Sequence, residues 1–197
     1  MKYDQSWRNS LWPSSLKVYN QHLYQKNMNN FLELLMTVLT FIAVIYSSFA
    51  AFKVDYYNPI VKIFVSLIMP FSKLLFFLNP FLVGLIAGMI FSFFGLYISA
   101  GSAYEISYII GLSFFNVLII FFKVLFYFVI GGVIKSWVAP FTDHPLGQIV
   151  EDVSSGILKP FRSITPSFGG LDFSPIFAFI ILNMINGMLI GIANAVL

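Results

Sequence analysis

The sequence predicts an all-α membrane protein of about four transmembrane helices, arranged as two parallel hairpin repeats, each with an amphipathic interfacial helix in its loop. Three observations carry this expectation. The chain is 59% hydrophobic and only 10% charged, whereas soluble domains average about 45–50% apolar and about 25% charged. Its apolar residues gather into four runs of the roughly 20 residues that a helix needs to cross the hydrocarbon core. The stretches that follow the first and third runs share one order of prolines and amphipathic sequence.

Residues 1–30 are polar, with Lys2, Arg8, Lys17 and Lys26 set against Asp4. They carry no periodic apolar face and are expected to be a disordered tail. Met28 stands directly before the first run and is an expected alternative start of translation. Residues 31–100 form the first repeat and residues 101–197 the second.

The first span, Phe31 to Phe52, carries one charge, Glu33, at its edge. Ser48-Phe49-Ala50 resembles a signal-peptide cleavage site, but the run is long for that role and three more follow it. The second span, Pro80 to Ala100, is free of charge. The third, Ile106 to Ile134, contains Lys123, and the fourth runs from Phe173 to Leu197 without a charge. In lipid each backbone polar group must be satisfied within its own segment, so these runs fold as helices despite their β-branched and aromatic residues.

Between the third and fourth spans, Leu146, Ile149, Val150, Val153, Ile157 and Phe161 share one helical face. Gln148, Glu151, Asp152, Ser155 and Lys159 share the other. That pattern describes an amphipathic helix lying at the membrane surface. The first loop has a narrower polar stripe of Asn58, Lys62, Ser66 and Lys73, so its helix is expected to sink deeper. Asn58-Pro59-Ile60 and His144-Pro145-Leu146 open the two loop helices, and Pro70-Phe71-Ser72-Lys73 and Lys159-Pro160-Phe161-Arg162 are expected to close them. Such a repeated order suggests duplication. Each unit crosses the membrane an even number of times, so the copies share one orientation and imply a pseudo-twofold axis along the membrane normal.

The loops, residues 53–79 and 135–172, carry Lys53, Lys62, Lys73, Lys135, Lys159 and Arg162, while residues 101–105 carry no Lys or Arg. The positive-inside rule then places the loops in the cytoplasm; the basic N-terminal tail points the other way unless translation begins at Met28.

The segment Lys159-Pro160-Phe161-Arg162-Ser163-Ile164-Thr165-Pro166-Ser167-Phe168-Gly169-Gly170-Leu171-Asp172-Phe173-Ser174-Pro175 resembles the signature of the YggT family, also called YlmG. Asp55-Tyr56-Tyr57-Asn58-Pro59 is similar to the matching turn of two-repeat members. Ser163 stands where the family often has a second arginine, and Phe76-Phe77-Leu78-Asn79-Pro80 replaces the Gly-Gly-apolar-Asp segment in the first unit. The resemblance covers nearly everything after Met28. It implies a small bacterial inner-membrane protein, of a family connected with osmotic survival, membrane cytochrome maturation, and division or nucleoid organisation.

Two groups of residues are candidate sites. Lys159, Arg162, Gly169, Gly170 and Asp172 are read as a lipid- or partner-binding turn beside a surface helix. Their structural alternative is punctuation: the glycines permit a tight turn, and Asp172 or Ser174 caps the helix that Pro175 enters. Lys123, with Ser113, Asn116 and Tyr127 at helical spacing, forms an intramembrane polar face. Glu33 heads another, with Thr37, Thr40 and Ser47, and the two are expected to meet if the units pair symmetrically. An intramembrane charge is a functional hypothesis by default, against snorkelling or helix joining as the plainer readings. Gly84, Gly88, Ser92 and Gly95, and likewise Asn183, Gly187, Gly191 and Asn194, are small-residue stripes expected to join helices, within the chain or in a homodimer.

The absence of cysteine excludes disulfides, thiolate metal sites and thiol nucleophiles. No nucleophile, base and orienter combine, so neither an enzymatic role nor a cofactor or metal is expected. The partners expected are the lipid bilayer, other membrane proteins and a possible second copy, with no nucleic acid. The first functional reading is a non-catalytic accessory protein aiding complex assembly, division or envelope and osmotic homeostasis. The second is a small oligomeric channel or transport component.

Overall fold

A computed structural model describes residues 14–100, 103–138, 143–165 and 172–196. Among these residues the chain forms six helices: α1 (Ser14–Ala51), α2 (Pro59–Leu74), α3 (Pro80–Ala100), α4 (Ile106–Val138), α5 (Pro145–Arg162) and α6 (Ser174–Val196). α1, α3, α4 and α6 are long and apolar enough to cross a membrane. At 33 residues, α4 is about 50 Å long by helical rise, so its ends reach past a hydrocarbon core of roughly 30 Å.

α1 starts earlier than expected. Residues 14–30, assigned to a disordered tail, are helical and continue the first span. Most side chains from Leu23 to Asn30 are exposed, so that stretch of the extension has no buried face that a periodicity could have announced. The loop helices end where the closing segments place them, at Leu74 and Arg162, with Pro70 and Pro160 held inside the last turns. Each proline removes one intrahelical hydrogen bond near a helix end.

The loops do lie at one end of the bundle. Asn58 and His144 cap α2 and α5, accepting from the N–H groups of Ile60 (2.9 Å) and Leu146 (3.2 Å). Asn58 also donates through Nδ2 to the carbonyl of Pro145 at 2.9 Å, so the two loop helices begin side by side. The largest apolar core is at this end. Phe49, Val54 and Val61 meet Leu125, Val129, Ile149, Val153 and Ile157 there, joined by Ala178 and Leu182 of α6. Phe49 is its hub, packing edge to face on Phe64 of α2 (5.2 Å) and Phe128 of α4 (6.2 Å).

α1 and α3 form the tightest helix pair because α3 presents Gly84 to α1. A Cβ there would meet Ser47 Oγ at 2.3 Å and the Ala43 carbonyl oxygen at 2.8 Å. Ser47 donates to the Phe81 carbonyl across this contact, at 2.9 Å. α3 also packs on α4. A twofold relation between the units would lay α6 on α1 in the same way, but α6 packs only on α4 and α5. Where α3 has Gly84 against α1, α6 has Phe179, whose ring packs on Phe126 of α4 at 5.1 Å.

Candidate interfacial site

α5 sits as a roof over the loop end, with Ile149, Val153, Ile157 and Leu158 buried beneath it. Its upper face exposes Gln148, Glu151, Asp152, Lys159 and Arg162. Lys159 and Arg162 stand in the last turn, where cations offset the negative end of the helix dipole. Toward its middle the face is acidic. Burial raises the Asp152 carboxyl above its ordinary value, and the charges of Glu151 and Asp55 add to the effect.

Beyond α5 the chain is clasped to the start of α6. Arg162 Nε donates to Asp172 Oδ2 at 2.9 Å, and Asp172 Oδ1 accepts from the Ser174 N–H at 2.9 Å. The hydroxyls of Thr165 and the buried Ser174 share a 2.8 Å hydrogen bond, and Thr165 also donates to the Phe161 carbonyl. Partial burial pushes the Asp172 carboxyl up, but hydrogen bonds from Ser174 and Arg162 and the arginine charge outweigh it and hold the group low.

A second ion pair, Lys135 with Glu151, ties α4 to α5. Between the two pairs runs a groove of about 690 Å³ whose walls include Trp137, Leu158, Phe173 and Phe179. Charges of both signs border an apolar floor, an arrangement that suits amphiphilic binding rather than bond-breaking chemistry. Among the described residues no three histidine or carboxylate side chains converge as metal ligands would.

The predicted site residues separate accordingly. Arg162 and Asp172, both expected in the binding turn, come together as an ion pair, and Asp172 also caps α6. Lys159 is exposed and, among the described residues, makes no ion pair. Gly169 and Gly170 lie outside the described residues. In the spans, Asn116 donates to Ser92 Oγ of α3 at 2.9 Å and so joins helices. Lys123 and Tyr127 are exposed on the outer surface of α4.

Glu33 lines a cleft at the far end of α1 with Gln25, Asn29, Ile98 and Ser99. Its carbonyl lies level with Gly95 of α3, whereas Lys123 follows Phe121, which packs on Phe81 at the other end of α3. The rise along α3 between those levels is about 20 Å. The expected meeting of the two polar faces therefore does not occur. Thr37 and Thr40 instead donate to carbonyls of their own helix.

The clasp predicts an acid response. Because the folded Asp172 carboxyl lies below the ordinary 3.8, its contribution is full above that pH and is lost as pH falls beneath it. Solvent screening limits the exposed pair to about 0.2–1 kcal/mol, and the helix cap adds about 1 kcal/mol. An Asp172→Ala variant should be less stable by about 1–2 kcal/mol at neutral pH. Thermal midpoints in detergent followed down through pH 3.8 should fall less steeply for the variant than for the native chain.

The comparisons with known proteins give one family match and two relatives. A family model described as CCB3/YggT matches residues 111–193, from the start of α4 through most of α6. An uncharacterized protein of Pseudomonas aeruginosa is 46% identical over 72 residues, and the chain thus covers 36% of that relative's length. An uncharacterized protein of Haemophilus influenzae is 26% identical over 153 residues, covering 71% of this chain and 78% of the relative. No solved structure matches significantly.

Proposed function

Taking residues 111–193 as a domain of the CCB3/YggT family, we propose that this multi-pass membrane protein is a non-catalytic accessory factor of the bacterial inner membrane. It aids the assembly of membrane complexes, division, or envelope and osmotic homeostasis by docking other membrane proteins or lipid headgroups at its loop end, which faces the cytoplasm. One observation carries the reading: the polar face of α5 is outward and charged, while its other face is fixed in the main core. A docking surface held by a packed core costs little ordering on binding. Lys159 is the residue to test, because Arg162 is already engaged by Asp172.

The second reading, a small oligomeric channel or transport component, draws on Lys123, a charge within a span. Lys123 is exposed on the outside of α4, so it would line a path only between copies. The two readings predict opposite results for survival of an osmotic downshift in cells that depend on the protein. Lys159→Glu should weaken docking at least about tenfold under the accessory reading, as expected when a charged contact worth at least about 1.4 kcal/mol is lost, and should lower survival with it. Lys123→Leu should leave survival near native. Loss with Lys123→Leu alone, accompanied by loss of ion flux in liposomes, would favour the channel.

A further inference from the structure

We infer that the chain assembles head to tail with further copies of itself, the outer face of α6 docking on the outer face of α1 in the next copy. The template is the contact between α3 and α4 inside one chain. Read as equivalent units, α1–α3 and α4–α6 align through matched contacts. Phe49 packs on Phe64 of α2, as Gly131 packs on Val150 of α5. The prolines opening α3 and α6, Pro80 and Pro175, align in turn. With that register Val83 and Ala87 correspond to Ala178 and Leu182, and all four are buried.

On this alignment the α3–α4 contact has a counterpart that is open on both sides. Within the chain, Leu85, Gly88, Met89 and Ser92 of α3 pack on Asn116, Val117 and Ile120 of α4. The corresponding α6 residues are Ile180, Asn183, Met184 and Gly187, and all are exposed. A Cβ on Gly187 would meet nothing within 4 Å. The corresponding α1 residues are Leu34, Leu35 and Val38, which are 62%, 39% and 47% exposed. α6 cannot reach α1 of its own chain, since it packs only on α4 and α5.

Exposed leucine and valine in a span are at home in lipid, but Asn183 and the glycine notch are not. A carboxamide facing hydrocarbon finds no partner there, and small residues in spans serve close helix contact. Leu34 of a second copy would fill the notch at Gly187, as Asn116 meets Ser92 within the chain. Such a contact joins different faces, so it is heterologous and propagates into a ring or a row, not a closed twofold dimer.

The native chain has no cysteine, which allows a direct test by disulfide formation in native membranes. Two single variants, Leu34→Cys and Gly187→Cys, are expressed separately and together, then treated with a lipid-soluble oxidant. Co-expression should give a cross-linked dimer, and each variant alone should give none. A chain carrying both substitutions should give a ladder of multimers. The intramolecular pair Ser92→Cys with Asn116→Cys, tested in parallel, shows that oxidation reaches this depth. Self-dimers from Gly187→Cys alone would mean a twofold contact and would overturn the proposal. So would the absence of any intermolecular cross-link while the internal pair forms, an outcome that leaves lipid or another protein's helix on these faces.

Discussion

Replacing Gly84 with alanine should destabilise the protein by about 1–3 kcal/mol, the usual cost of overpacking, although alanine is the better helix former by about 1 kcal/mol. The new methyl carbon would lie 2.3 Å from Ser47 Oγ, 2.8 Å from the Ala43 carbonyl oxygen and 2.9 Å from the Tyr46 ring. The hydroxyl can turn away, at the loss of its bond to the Phe81 carbonyl. The Ala43 oxygen belongs to the backbone and cannot. α1 and α3 must then separate, and the pair they form is the most extensive in the bundle. Gly191→Ala supplies the control of opposite sign, because nothing stands within 4 Å of that position and the helix propensity gain remains. Thermal unfolding in detergent should give a midpoint lowered by several degrees for the first and unchanged or raised for the second.

Phe49→Ala should cost more, about 3–5 kcal/mol, as expected for removal of a fully buried aromatic ring. Phe49 is buried where α1, α2 and α4 converge, and its edge-to-face contacts with Phe64 and Phe128 add to the lost apolar burial. The chain leaves α1 just after this residue. The Val54 N–H bonds back to the Phe49 carbonyl at 3.0 Å, and Lys53 takes the left-handed conformation, φ 54°, as the chain leaves α1. A cavity at Phe49 therefore loosens the junction through which α2 docks on both units. Exposure of the loop helices to limited proteolysis should rise together with the fall in unfolding midpoint. A variant with native stability and native protection would show that the loop end is not the main core.

The spans were legible because length and apolarity are local properties, and so were the amphipathic face of α5 and the caps at Asn58 and His144. The helical extension over residues 14–30 was not. From Leu23 to Asn30 its side chains are mostly exposed, so that stretch leaves no periodic signal even though it is helical. The ends of the loop helices were legible, because a proline near a helix end forfeits only one hydrogen bond and the helix stops within a few residues of it. The Arg162–Asp172 pair and the second hydrogen bond of Asn58 to Pro145 join residues whose proximity depends on how the chain reverses, which no spacing encodes. The same is true of Lys123 and Glu33. Each was correctly recognised as a polar residue in an apolar run, but whether their faces meet depends on the stagger between α1 and α4. The repeated order of prolines and amphipathic stretches likewise did not disclose how the last helix packs: α3 lies on α1 and α4, whereas α6 lies on α4 and α5.

The central claim is that the outward polar face of α5 is where other membrane proteins or lipid headgroups dock. Photo-crosslinking residues introduced singly at Gln148 and Lys159 on that face, and at Tyr97 on the exposed side of α3, test it most directly in living cells. A discrete adduct with the same membrane protein or lipid headgroup from both α5 positions, absent from Tyr97, is the predicted result. No adduct with protein or lipid headgroup from α5, or the same adducts from Tyr97 as from α5, would contradict it.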